Sequence, residues 1–262
     1  MCIYVSGTAT LAQAASPIAG TTATASQLES VLSVSGDAGP DRQKIGYVRE
    51  QTIKEMATAL GARAGLADES KVLLNTLNSR AVELDKKFNF NPLVIHASVL
   101  PPVISQSRDV VVLEAMAMKI AGAVFSIDEP ARFAMPTPTW RDWLYIGLDE
   151  SPVAIPSMGV VGPNTPAEKK LWDKLTRDGY EQGRIQAQAV FAANLSQLQR
   201  VHDGMRLYFD LWRRGMVSAP IIATSSEILQ REGPNTINVG NTLFRITAPT
   251  DFNGVKQWTP LE

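Results

Sequence analysis

Residues 165–215 read TPAEKKLWDKLTRDGYEQGRIQAQAVFAANLSQLQRVHDGMRLYFDLWRRG, and this stretch decides the fold. Thr165 can cap a helix, Pro166 suits its first turn, and Glu168 can reach back to the N–H group of the cap to complete a capping box. Gly215 can end the helix in a left-handed conformation. Apolar residues recur at helical spacing between these ends: Leu171, Trp172, Leu175, Leu195, Leu198, Val201, Met205, Tyr208, Phe209 and Trp212.

The helix predicted over about 165–215 is longer than an ordinary globular helix. It would extend roughly 75 Å at ~1.5 Å per residue. We therefore expect a bend or a break near Gly179 or Gly183. A helix of this length usually serves as a strut, and the stretch carries no recognisable catalytic constellation. The sequence favours a protein that holds position over one that turns over a substrate.

Composition narrows the function classes. The chain has 262 residues and a formal net charge of −1, which excludes the overall basic field of a nucleic-acid-binding protein. Cys2 is the single cysteine, which excludes an intramolecular disulfide framework and a cysteine-rich zinc site. The only histidines are His96 and His202, which disfavours a histidine-based metal site. We expect no catalytic, cofactor-binding or metal-ligating residues.

Residues 1–40 differ in composition from the rest of the chain. Ala, Thr, Ser and Gly dominate, and Glu29 and Asp37 are the only charges, so the segment predicts a disordered N-terminal arm. Its start has three interpretations. It is a remnant of an export signal with a cleavage site at residues 12–14, or Cys2 is the acylated cysteine of a lipoprotein, or it is a disordered start without such a role.

Residues 41–88 predict two helices. Between them lie Gly61 and Gly65, which predict a tight turn or a close helix crossing; the alternative is one continuous helix that contains both glycines. The two apolar stripes that support the helices are Ile45, Val48, Ile53, Met56 and Leu60, followed by Leu66, Leu73, Leu77, Ala81, Leu84 and Phe88.

The middle and the end of the chain predict short strands. Three runs with a weaker fourth indicate a small antiparallel sheet: residues 110–113, 118–120, 123–127 and 132–134. Residues 220–225 predict a further strand. Gly240 and Asn241, flanked by apolar runs, predict a two-residue type II′ hairpin turn. The expected fold is α+β, with two N-terminal helices, the long helix and small antiparallel sheets in a single domain over residues 41–262.

The most aromatic part of the chain lies at residues 136–148. Trp140 and Trp143 are three residues apart and share one face of a short helix that Thr139 can cap. Beside Arg141 they could form a partner-binding anchor. The alternative, which the sequence favours, is that both tryptophans fill the core against the long helix.

Ordered segments from residue 44 onward resemble the DotC/TraI family of type IVB secretion systems. The segments that carry the resemblance are residues 47–55, 61–67, 99–103, 137–141 and 167–169, together with Trp172, Gly179, Gly183 and residues 216–220 and 243–248. No single segment is very specific, but their order and spacing match across about four-fifths of the chain. The family serves both conjugation and the delivery of effector proteins.

The resemblance implies an outer-membrane-associated periplasmic lipoprotein without enzymatic activity. It implies a structural subunit of a ring-shaped outer membrane core complex, packed with a DotD/TraH-type lipoprotein and a DotH/TraN-type protein. The family carries a signal peptide and a lipid-modified cysteine, and here Cys2 follows Met1 directly. The alternative function is a periplasmic protein that binds or hydrolyses peptidoglycan, although the chain lacks G-x-S-x-G, H-E-x-x-H, P-loop and G-x-G-x-x-G motifs.

A ring requires two different patches of one protein to meet around a closed rotation. Large amphipathic side chains on rigid elements suit such patches. The candidate interface residues are therefore Trp140, Arg141, Trp143, Tyr208 and Trp212. For Trp143 and Trp212 the sequence favours a core position over an interface position, more strongly for Trp212.

Overall fold

The computed structural model describes residues 27–35, 45–114, 117–154, 162–231, 233–235, 237–254 and 256. Cys2 and the predicted cleavage site lie outside the described residues. The helices are α1 (Gln27–Leu32), α2 (Tyr47–Ser79), α3 (Ala81–Lys87), α4 (Arg141–Leu144) and α5 (Pro166–Arg213). The strands are β1 (Val99–Leu100), β2 (Val103–Glu114), β3 (Ala117–Glu129), β4 (Arg132–Phe133), β5 (Ile221–Arg231) and β6 (Ile237–Ala248). The α+β fold is confirmed.

Both ends of α5 form as the sequence predicts. The Thr165 side chain accepts a hydrogen bond from the Glu168 N–H at 3.2 Å, and Glu168 in turn accepts from the Asn164 N–H at 2.7 Å, one residue before the cap. Gly215 has a φ of 68°. The N–H groups of Gly215 and Met216 donate back to the Trp212 and Leu211 carbonyls, each at 2.9 Å, which is the Schellman arrangement.

Of the bend or break expected in α5, the break is wrong, because the helix runs without interruption for 48 residues. Gly179 and Gly183 instead lie where α5 touches α2. A Cβ atom on Gly179 would lie 2.5 Å from the Thr58 carbonyl oxygen, and one on Gly183 would overlap the Ala62 carbonyl. The glycines are therefore needed for backbone contact and do not interrupt the helix.

The glycines of α2 make the reciprocal contact. The helix is continuous through Gly61 and Gly65, and a Cβ on either one would overlap the carbonyl of Thr176 or Tyr180 on α5. The expected helix boundary there is wrong, while the expected close crossing is present; the chain breaks later, at Arg80 between α2 and α3. Later residues of α2 contact later residues of α5, as Gly61 meets Thr176 and Gly65 meets Tyr180. The two helices therefore run in the same direction.

The segment that contains α1 packs against this helix pair. Val31 is fully buried in a cluster with Ile53, Ala57 and Trp172, and the indole N–H of Trp172 donates to the Val31 carbonyl at 3.1 Å. The expectation of disorder over residues 1–40 is therefore wrong for Gln27–Leu32. Val31 and Val34 provide buried apolar side chains here, although the composition of residues 1–40 as a whole does not indicate a packed segment.

The strands form three separate two-stranded antiparallel sheets within the described residues. β1 pairs with β4, β2 with β3, and β5 with β6. The predicted strands at 118–120 and 123–127 are one strand, β3. The predicted turn at Gly240 and Asn241 is wrong, because both residues lie inside β6, where Asn241 pairs with Glu227. We call β2–β3 the first ribbon and β5–β6 the second ribbon.

Both ribbons begin near the C-terminal end of α5. Ile104 at the base of the first ribbon packs with Tyr208, Leu211 and Val217 in one buried cluster. A Cβ on Gly204 would lie 2.9 Å from the Ile104 carbonyl oxygen, so β2 crosses α5 in backbone contact. Val217 lies just before β5, which places the start of the second ribbon beside the same cluster.

Candidate partner interface

Trp140 is a core residue that joins two parts of the fold. Its side chain is 1% exposed. Its indole N–H donates a hydrogen bond to the carboxylate of Asp85, on α3, at 2.6 Å. That hydrogen bond lowers the pKa of the Asp85 carboxyl, against a smaller opposing effect of burial and with help from Arg141. The core alternative is therefore the one the structure shows for Trp140, and this side chain offers no surface to a partner.

Arg141 and Trp143 flank that buried tryptophan. The Arg141 guanidinium lies over the Trp140 ring, 4.2 Å from its centroid, and donates to Asp85 at 3.0 Å. Trp143 is half-buried and stacks on Phe90, with ring centroids 5.1 Å apart. Both side chains retain partial exposure, which keeps them available as candidate contacts.

Tyr208 and Trp212 lie one helical turn apart on α5 but in different environments. Tyr208 is buried against Ile104 and Leu211, and this burial raises the pKa of its phenol. Trp212 is 48% exposed, so the expectation that it belongs to the core is wrong. At this last turn of α5 the neighbouring Leu211 is the buried residue. Of the five candidates, Trp212 is the most accessible tryptophan.

A polar seam between α2 and α5 was not predicted from sequence. Glu69 is nearly buried, and its carboxylate accepts from Arg184 Nε at 3.0 Å and from Gln188 Nε2 at 2.8 Å. This pairing raises the pKa of Arg184. Asp68 accepts from the Tyr180 hydroxyl at 3.0 Å and from the Gln27 N–H at 2.9 Å. These polar contacts help to hold α2 and α5 together.

The described residues hold no group of three or more His, Cys, Asp or Glu side chains arranged to bind a metal ion. A cavity of about 310 Å³ lies between α2 and the segment before α5. Its lining includes Arg63, Asp149 and Val153, and the Val153 N–H donates to the Gln27 side chain at 3.2 Å. The cavity therefore borders the site where α1 docks.

A known protein family matches most of this chain. The family model described as type IV secretory system, conjugal DNA-protein transfer (TraI) matches residues 47–260. The chain belongs to this family. No curated protein matches the chain at a significant level. Among the described residues, no helix combines the length and the apolar character that a bilayer span requires.

Membership makes the chain a component of a type IV secretion and conjugation system. The match begins at the first residue of α2 and continues past β6, so it includes the helix pair and both ribbons. The resemblance found in the sequence is therefore confirmed at the level of the family.

Proposed function

We propose that the chain is a non-enzymatic structural subunit of the outer membrane core complex of a type IVB secretion or conjugation system. Its partners in this proposal are a DotD/TraH-type lipoprotein and a DotH/TraN-type core protein. The protein acts in the periplasm at the outer membrane, with Cys2 as the candidate site of a lipid anchor. The family match supports the assignment to the system, and the architecture supports the structural role.

The observation that carries the structural role is the backbone contact between α2 and α5. Four glycines remove side chains from the contact, so the two helices lock together along their carbonyl groups. Packing without intervening side chains resists sliding because small shifts produce overlap. The ion pair between the nearly buried Glu69 and the partly exposed Arg184 favours the same register. A rigid pair of this kind suits a subunit that bears load inside an assembly.

The experiment that tests the proposal is co-purification from outer membranes. The full chain carrying an affinity tag is expressed with the rest of its transfer system, extracted in mild detergent and captured. We expect the DotD/TraH-type and DotH/TraN-type proteins to be captured with it, and imaging of the eluate to show ring particles. A chain captured alone would contradict the proposal.

Peptidoglycan binding or hydrolysis is the function that would replace the proposed structural role. The purified chain is mixed with insoluble peptidoglycan and sedimented, and in parallel is run in a cell-wall zymogram. Sedimentation with the cell wall, or a cleared band lost on substituting Asp or Glu residues, would transfer the chain to that class. We expect neither result.

A further inference from the structure

Each ribbon is a two-stranded sheet that extends away from the helices. The strands of the first ribbon have 12 and 13 residues and those of the second have 11 and 12, so each extends about 40 Å at ~3.3 Å per residue. An isolated two-stranded sheet is marginally stable in water, and three or more strands are needed for independent stability. Within the described residues, neither ribbon has a third strand.

The second ribbon also exposes apolar side chains. Val239, Leu243 and Phe244 on β6 are all exposed, and Leu243 is 53% exposed. Proteins usually protect long edge strands with charges, proline or a covering element, because open edges pair with other strands. β6 carries one charged residue, Arg245, over 12 residues. The second ribbon is therefore a template for strand addition.

The first ribbon has a complementary composition. By sequence its strands carry four carboxylates and two cations: Asp109, Glu114, Asp128 and Glu129 against Arg108 and Lys119. The second ribbon carries Arg231 and Arg245 against Glu227. The first ribbon is thus net negative and the second net positive. Opposite net charges favour contact between unlike ribbons and disfavour contact between two copies of the first.

We propose that the second ribbon of one copy adds edge to edge to the first ribbon of a second copy, forming a four-stranded sheet across the interface. The two ribbons start from the same end of α5 but do not pair within one chain. A contact between two different patches repeats from copy to copy and closes into a ring if the rotation allows. This inference rests on the proposed structural role and names a self-contact within it.

A lipid surface is the less suitable occupant. Unpaired N–H and C=O groups along a strand edge cannot be satisfied in hydrocarbon. A neighbouring strand satisfies them and covers apolar side chains in the same step. The two ribbons have nearly equal strand lengths, so each can cover the other along most of its edge.

The test uses one damaged ribbon in each of two variants of the full chain. Val124→Lys places a charge on the first ribbon and Leu243→Lys places one on the second. The two sites are 42% and 53% exposed, so we expect both variants to fold. Val72→Lys on α2, at 58% exposure, is the matched control. Circular dichroism checks the fold, and sedimentation velocity over a concentration series measures association.

We expect the unsubstituted chain and Val72→Lys to associate with rising concentration, and each ribbon variant alone to stay monomeric, its dissociation constant at least tenfold higher. Mixed together, the two variants are expected to form a 1:1 dimer and nothing larger, because only one intact pair of unlike ribbons remains. A monomeric unsubstituted chain, a ribbon variant that dimerises alone, a mixture that does not dimerise or a control that loses association would each overturn the proposal.

These outcomes are separable from the test of function. If Leu243→Lys still captures the DotD/TraH-type and DotH/TraN-type partners, the structural role stands even where the ribbon contact fails. If the unsubstituted chain self-associates through its ribbons but captures neither partner, the ribbon contact stands and the assignment to the core complex fails.

Discussion

Gly65 on α2 lies directly against the backbone carbonyl of Tyr180 on α5, with no room for a side chain between the two helices. A Cβ atom on Gly65 would come within 3.0 Å of the Tyr180 Cα and would overlap its carbonyl oxygen. The same relationship recurs one turn earlier between Gly61 and Thr176. Both helices can approach this closely only because glycine occupies the facing positions on each.

We predict that Gly65→Ala lowers the free energy of unfolding by about 1–3 kcal/mol, because the added methyl group meets backbone that cannot move like a side chain. Alanine would gain about 1 kcal/mol in helix propensity at an unconstrained site, so a net loss isolates the packing effect. Gly122→Ala on β3 is the control, since nothing lies within 4 Å of a Cβ there and the site is not a helix cap. Urea unfolding measures both; a stabilised Gly65→Ala would contradict the close contact.

The same glycines show what sequence reasoning could and could not reach. Thr165 and Gly215 were predicted correctly because capping depends on neighbouring residues. The break expected near Gly179 or Gly183 does not occur, because these glycines act through contact with α2, more than 100 residues away in the sequence. Gly240 has a φ of 70° and was misread as a hairpin turn. The positive φ expected of Gly240 is present. The pairing of β5 with β6, however, depends on residues outside the Gly240-Asn241 dipeptide.

The raised pKa of Tyr180 predicts that the protein loses stability in alkali. Burial raises the pKa of its hydroxyl to about 12, with help from the Asp68 carboxylate. The unfolded chain ionises near the ordinary value of 10.0 while the folded chain does not, so this contribution is lost as the pH rises from 10.0 to about 12. Tyr180→Phe should flatten that decline. Unfolding in urea at several alkaline pH values measures it, with the exposed Tyr47→Phe as control; equal slopes in both variants would reject the assignment.

The lowered pKa of Glu168 predicts that the protein loses stability in acid. Burial acts to raise the pKa of its carboxyl, but hydrogen bonds from the Asn164 N–H, Arg49 and the Thr165 N–H outweigh burial and hold it below 4.5. A depressed pKa stabilises the fold above the unfolded value, and that contribution disappears as the pH falls from about 4.5 through the folded pKa. Glu168→Gln should unfold with a shallower acid dependence. Thermal melts between neutral and acid pH measure it; the exposed Glu55→Gln serves as control and should keep the original slope.

Trp140 and Trp212 predict opposite results for the same substitution. Trp140→Ala removes a buried indole and leaves Asp85 without its donor, so the free energy of unfolding should fall by about 3–5 kcal/mol. Trp212→Ala removes a half-exposed side chain, so the melting temperature should barely change. If Trp212 contacts a partner, the variant stays folded but no longer captures the DotH/TraN-type partner. Thermal melts alongside affinity capture separate these effects, and a Trp212→Ala chain that is both stable and fully assembled would remove Trp212 from the interface.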